Sequence, residues 1–218
     1  MSSGSSESLS SDDPEIRLAA VDTWLALGPR PTLITGMLRE WLTLHFSNRN
    51  TIEHVDLKDY LWTAQDCSSI MIESITQYNP KQANKNPAIL IRREAVNFTR
   101  LGINNELMGG MNSTPDYQEF SMAAVGSHTI FCKSSEPRHA ETLAAEVYRE
   151  LLHFGVKVRE CLGLLRFAVA SIGALFEIKE ERKHYAVPVV VAYAYEETWQ
   201  IRPHAPRLKN ITISGLEP

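Results

Sequence analysis

The sequence predicts an α+β fold: a mixed or antiparallel sheet with helices packed on it and a helical N-terminal extension. Three observations carry this. Val187-Pro-Val-Val-Val-Ala-Tyr-Ala-Tyr195 alternates as a half-buried strand does, with Val187, Val189, Val191, Tyr193 and Tyr195 on one face and small residues with Pro188 on the other. After Pro137, apolar residues recur at the 3.6-residue period, Ala140, Leu143, Ala144, Val147 and Leu151, as in a helix lying on a sheet. Between these segments, Leu164 to Ile178 is apolar but too β-rich at its centre for a helix. The polar turn Glu180-Glu-Arg-Lys-His184 then makes an antiparallel hairpin of this run and the strand after it. One helix on such a hairpin gives an α+β core.

Taken in order, residues 1–13 are Ser-rich and lack the basic and apolar regions of a signal peptide, so they are expected to be a disordered tail. Residues 14–50 are expected to form the helical extension. Its first helix runs from Pro14 to Leu27, capped by Asp12 or Asp13, with Ile16, Ala20, Val21, Trp24 and Leu27 at helical spacing. Gly28-Pro-Arg-Pro31 ends it, and a second helix, Thr32 to Phe46, presents Leu33, Ile34, Met37, Leu38, Trp41, Leu42 and His45. Residues 51–218 make the main domain. Thr51 to Trp62 fits neither period. Ser68 to Tyr78 and Ala88 to Arg92 read as two strands flanking the polar loop Asn79 to Pro87.

Residues 93–120, with Gly102, Gly109, Gly110 and Pro115, read as a long projecting loop, which in a compact domain is a functional or flexible one. Gly126 to Lys133 is the next strand. Ser134-Ser-Glu-Pro137 opens the helix, with Ser135 as its cap, Pro137 in its first turn, Glu141 at the positive end of its dipole and Gly155 as its stop. Gly173 marks a bulge or bend, and Pro188 belongs at a strand start or on an edge. Arg202-Pro-His-Ala-Pro-Arg207 breaks the sheet before a last strand, Leu208 to Ser214. No repeat of fixed period is present.

The totals exclude several classes. At 218 residues with 44% hydrophobic and 22% charged residues, the chain can build a core. The net charge of -4 is uneven: residues 1–125 hold 10 Lys+Arg against 15 Asp+Glu, and 126–218 hold 12 against 11. No basic stripe is available to track DNA phosphates, and no apolar run is long enough to span a bilayer. Cys67, Cys132 and Cys161 are an odd count without CxxC spacing, the usage of reduced, mostly buried thiols in a cytosolic protein.

Motifs that carry chemistry are lacking. His139-Ala-Glu141 has the HxE spacing of zinc deaminases, but the PCxxC segment that completes their site is missing, which leaves a first-turn helix surface. GxxxxGK[ST], GxSxG and HExxH do not occur. His128 and Cys132 share a strand face but stand roughly 13 Å apart along it, too far for a nucleophile and its base, so Cys132 reads as core. Lys179, Arg182 and Lys183 are interleaved with Glu177, Glu180 and Glu181, as in a solvated turn. The row Tyr193, Tyr195, Trp199 has no accompanying positive charge and reads as a packed face or subunit interface rather than a base-stacking platform. No catalytic residue, metal or cofactor is assigned.

The order of elements, a strand, the helix Ser-Ser-Glu-Pro-Arg-His-Ala-Glu-Thr-Leu-Ala-Ala-Glu-Val, a hairpin, Val-Pro-Val-Val-Val-Ala-Tyr-Ala-Tyr-Glu-Glu-Thr-Trp-Gln-Ile and a final Pro206-Arg-Leu-Lys strand, resembles the neck proteins of tailed bacteriophages. The likeness is closest to tail-terminator or tail-completion proteins, and Asn86-Pro-Ala-Ile-Leu-Ile-Arg92 resembles their early strand. It covers a little over half the chain and rests on element order, without a diagnostic motif. The resemblance implies a sheet covered by helices, with 51–218 as the terminator-like domain. It also implies a homo-oligomeric ring of six copies that caps the tail tube, meets the head-side connector, and lets DNA pass through its lumen without specific binding. The location would be the virion, with no membrane involved; a head-tail adaptor or stopper is the near variant. The family offers no catalytic residues to carry over, and residues 1 to about 50 match nothing in it. A ring needs strand edges and loops that meet neighbours, and the subunit interface is placed at Tyr193, Tyr195, Trp199, Asn104 and Met108. The rival reading is a small cytosolic enzyme with a pocket under the 93–120 loop, using His128, His139 or Glu141.

Overall fold

A computed structural model describes residues 21–26, 29–64, 68–77, 86–100, 118–178 and 184–203, with the backbone alone at 21–26, 77, 100, 118–120 and 199–203. Its elements are β1 (Val21–Ala26), α1 (Pro31–Ser47), a 3-10 turn (Val55–Leu57), β2 (Met71–Ser74), a second such turn (Ile75–Gln77), β3 (Ala88–Arg100), β4 (Gln118–Ser134), α2 (Pro137–Cys161), β5 (Arg166–Ile172), β6 (Phe176–Glu177) and β7 (Tyr185–Pro203). The chain divides into two compact units. The larger comprises Leu27–Thr99 and Ala123–Glu196, the smaller Met1–Ala26, Arg100–Met122 and Glu197–Pro218, so β3, β4 and β7 each contribute to both.

In the larger unit the strand order is β7-β4-β3-β2, with β5 and β6 also paired to β7. β2 runs parallel to β3, from Met71 opposite Ala88 to Ser74 opposite Ile91. β5 and β6 run antiparallel to β7, which makes the sheet mixed and the fold α+β. In the smaller unit β1 lies antiparallel to the end of β7, from Val21 opposite Pro203 to Ala26 opposite Thr198.

One face of the larger unit's sheet holds the core. Val187, Val189, Val191, Tyr193 and Tyr195 of β7 are all buried, as their alternation predicts. Ala124, His128, Ile130 and Cys132 of β4 are buried beside them, and Phe167 of β5 stands opposite Tyr193. Both helices lie on this face. α1 reaches it through Thr35, whose hydroxyl is 2.7 Å from His128 Nε2, and it buries Ile34, Leu38, Leu42 and Phe46 at four-residue spacing. α2 buries Ala140, Leu143, Ala144, Val147, Leu151 and Val158. Each of the larger apolar side chains here contributes roughly 1.5–3 kcal/mol by leaving water.

Several expectations are corrected. Val21–Ala26 is a strand, not part of a helix from Pro14 to Leu27, because these residues find a backbone ladder on β7; the rest of that segment lies outside the described residues. Residues 93–100 and 118–120 belong to β3 and β4 and not to a loop, while 101–117 lie outside the described residues. α2 does not stop at Gly155 but continues to Cys161, and Glu136, not Ser135, is its N-cap residue. A Cβ at Gly155 would sit 3.5 Å from the Phe167 ring, an ordinary contact. The expected N-terminal helix is present as α1, and its buried residues join the core under the sheet. The hairpin of β5 and β7 is as expected, with a bulge between Val169 and Ser171 and the break at Gly173. The tail 1–13 and the final strand Leu208 to Ser214 lie outside the described residues.

At Gly126 an added Cβ would lie 2.6 Å from Cζ of the buried Tyr193 ring, whereas at Gly155 the added carbon meets ordinary contact. Gly126→Ala should therefore destabilise the protein by about 1–3 kcal/mol. Gly155→Ala, relieved of glycine's poor helix propensity, should be neutral or stabilising by up to about 1 kcal/mol. Urea unfolding of the two variants checks the contrast.

Candidate functional site

Helices α1 and α2 are joined by a buried polar cluster. Trp41 and His45 stand one turn apart on α1, so both face α2. Glu146 and Glu150 stand one turn apart on α2, on the flank of its apolar stripe. His45 lies between the carboxylates, with Nε2 3.0 Å from Glu146 Oε1 and Nδ1 3.0 Å from Glu150 Oε2. Trp41 Nε1 donates to Glu150 Oε1 at 2.7 Å. Arg149 donates to Glu146 Oε2 at 2.6 Å and also pairs with Glu53, whose own amide donates to Glu146 Oε1 at 3.2 Å.

The role of this cluster follows from its contacts. His45 and Glu146 are buried and Glu150 nearly so. Both ring nitrogens of His45 face carboxylate oxygens, one from each glutamate. Glu146 faces three nitrogen-bearing groups and Glu150 two, and His45 and Glu150 also border a groove beside the cluster. The cluster acts as a clamp that fixes α1 on α2. Beside it runs a groove of about 680 Å³, walled by Met37, Leu44, Phe154 and Val158, with Trp41 packed edge-on to Phe154 at 4.8 Å. Among the described residues no group of three or more His, Cys, Asp or Glu side chains could hold a metal ion, and no helix is long and apolar enough to cross a membrane.

The residues singled out for chemistry have separate neighbours. His128 is buried in β4, with Nε2 2.7 Å from the Thr35 hydroxyl, which also donates to the Pro31 carbonyl at 3.0 Å. Burial, and then the nearby Arg93 charge, hold the His128 pKa down at about 4. Cys132 is fully buried and its thiol is pushed far up by burial, which suppresses the thiolate. His139 is half-buried against Glu136, 3.5 Å away, with the Tyr60 ring beside it. Glu141 is exposed, two positions along the same helix, and thus points to a different side.

The interface residues fare differently. Tyr193 and Tyr195 are 1% and 2% exposed, stacked on each other in the core, so they are corrected from contact residues to core residues. Burial raises the Tyr193 phenol to about 12. Trp199 is described by its backbone only, opposite Leu25, and Asn104 and Met108 lie outside the described residues. Sequence reasoning placed His45 on the α1 face but missed its partners. Glu146 and Glu150, acids beside Val147 and Leu151 on a buried stripe, were the available signal.

No protein-family model matches the sequence, and no curated protein matches it significantly.

Removing Glu146 leaves His45 and Arg149 without their shared acceptor. Glu146→Ala should cost about 3–5 kcal/mol in denaturant unfolding, whereas the exposed Glu141→Ala should stay within about 0.5 kcal/mol of the parent. His128 gives a pH signature. A histidine with its folded pKa depressed takes up its proton first in the unfolded chain, so its contribution is complete above about pH 6.5 and is lost as pH falls towards 4. Unfolding free energies measured across that window should fall less steeply for His128→Gln than for the parent; equal slopes contradict the assignment.

Proposed function

We propose that this chain is a structural subunit of a tailed-bacteriophage neck. In this reading, copies close into a ring, hexameric as in tail terminators, that caps the tail tube and joins it to the head-side connector. What supports this beyond the resemblance of element order is the sheet face opposite the helices. Arg92 of β3 lies over the Phe131 ring of β4 at 5.0 Å, so even-numbered β3 residues and odd-numbered β4 residues share that face. Phe131 also meets Phe176 of β6, 6.4 Å away.

By the same alternation Phe98 and Val125 stand on this face, and Phe98, Val125 and Phe176 are 53%, 45% and 42% exposed. Exposed apolar side chains on a sheet face, here beside the Arg92–Glu94 ion pair and Thr129, suit a contact surface. The strands that build it are also long: β3, β4 and β7 have 13, 17 and 19 residues, where about 5–6 is usual. The apolar face carries the reading, because a ring subunit needs one lateral surface to meet the next copy and heterologous contacts that close by rotation. Tail tube and head-side connector are then the axial partners, DNA passes through the lumen unread, and the location is the virion.

Light scattering over a concentration range, with negative-stain images of each species, tests this. Rings of about six subunits with a central hole are expected; a monomer at every concentration, even with tail tube protein added, overturns the reading. Phe98→Asp should abolish ring formation while changing the stability of the isolated subunit by no more than about 0.5 kcal/mol.

A further inference from the structure

A separate cavity of about 460 Å³ opens in the larger unit at the amino end of α1. Thr32 and Arg39 of α1 line it, together with Ser74 at the end of β2, Thr76 in the turn after it and Arg93 of β3. Arg92 also borders it, but its guanidinium is taken up by Glu94 at 2.8 Å and the Phe131 ring on the other side of the sheet. The cavity's positive charge therefore comes from Arg39 and Arg93.

Arg39 gives Nη2 to Glu73 at 3.0 Å, while its Nε is buried without a hydrogen-bond partner. Arg93 is exposed and makes no ion pair among the described residues. Two guanidiniums thus stand on one cavity against a single contacting carboxylate, with donors left over. Ser74 and Thr76 hydroxyls are 2.9 Å apart, so one proton satisfies that pair and the other remains to be donated. The first turn of α1 has no side-chain cap and adds partial positive charge beside Thr32.

We propose that this cavity binds a phosphate group, carried by inorganic phosphate or by a small phosphate ester, with Arg93 and Arg39 as its charged donors and Thr32, Ser74 and Thr76 as neutral ones. The planar fork of a guanidinium matches two oxygens of a tetrahedral anion, and charge-assisted bonds of this kind are among the strongest a site can offer. The volume decides how much more is held: it falls within the roughly 300–1,000 Å³ of small-molecule sites and exceeds what a bare phosphate fills, so the group esterified to it has room. This site owes nothing to the ring assembly and is present in a single subunit.

Titration calorimetry of the full chain at constant ionic strength, with inorganic phosphate in one series and a nucleoside monophosphate in another, tests the proposal. One molecule should bind per chain, and tighter binding of the monophosphate than of phosphate identifies the ester as the ligand, while equal binding identifies the free anion. Arg93→Gln should weaken binding by about tenfold or more. Arg39→Lys, which keeps the charge for Glu73 and removes the fork, should also weaken it. Far-UV circular dichroism and the unfolding midpoint should match the parent in both variants. Absence of binding in the millimolar range for both probes, or binding unchanged by either substitution, overturns the proposal.

Discussion

The alternation of β7 is the constraint on which the larger unit depends. Val187, Val189, Val191, Tyr193 and Tyr195 must all point the same way, and that face is closed by α1 and α2. A slip of one residue would exchange this set for Pro188, Val190, Ala192 and Ala194 and leave the helices against a surface too small to fill the space. Everything next to β7 answers to its side chains. Gly126 of β4 lacks a Cβ where the Tyr193 ring lies, and Phe167 of β5 stands opposite the same tyrosine. Gly173 makes room for Pro188 where β5 ends.

The helices need a second constraint, because an apolar layer alone does not set their rotation. The clamp of His45 between Glu146 and Glu150 provides it: each acceptor has one direction from which the ring can approach, so sliding α1 by a turn would leave buried charges unpaired. Trp41, Arg149 and the Glu53 amide add further contacts to the same two carboxylates, so the cluster fixes position from several directions.

What was legible in the sequence was what local periodicity decides. The faces of β7, α1 and α2 and the β5 hairpin follow from spacing alone. β1 does not follow from spacing, because Val21 and Trp24 continue a helical stripe with Ile16, Ala20 and Leu27; the strand is chosen by pairing with residues 198–203. The extent of β3 was hidden because Arg92 to Arg100 is too polar to read as a strand and is held by its neighbours. Alternation showed that Tyr193 and Tyr195 share a face, but whether that face is core or interface is settled by where the helices lie. In the same way His45 stood out as polar on an apolar stripe, while its acceptor Glu146 is 101 positions away and is chosen by helix packing.

The two faces of the sheet therefore differ: one is sealed by helices, and the other, with Phe98, Val125, Phe131 and Phe176, is the face proposed to meet a further copy of the chain. Hydrogen exchange at the β3 amides of residues 95–99 and the β4 amides of 123–131, followed from dilute to concentrated protein, tests that division most directly. The account predicts that protection in these segments rises with assembly, while α2 and the β7 segment under it, already sealed, stay constant. Exchange in β3 and β4 that is independent of concentration across a range in which the particle mass rises would contradict it.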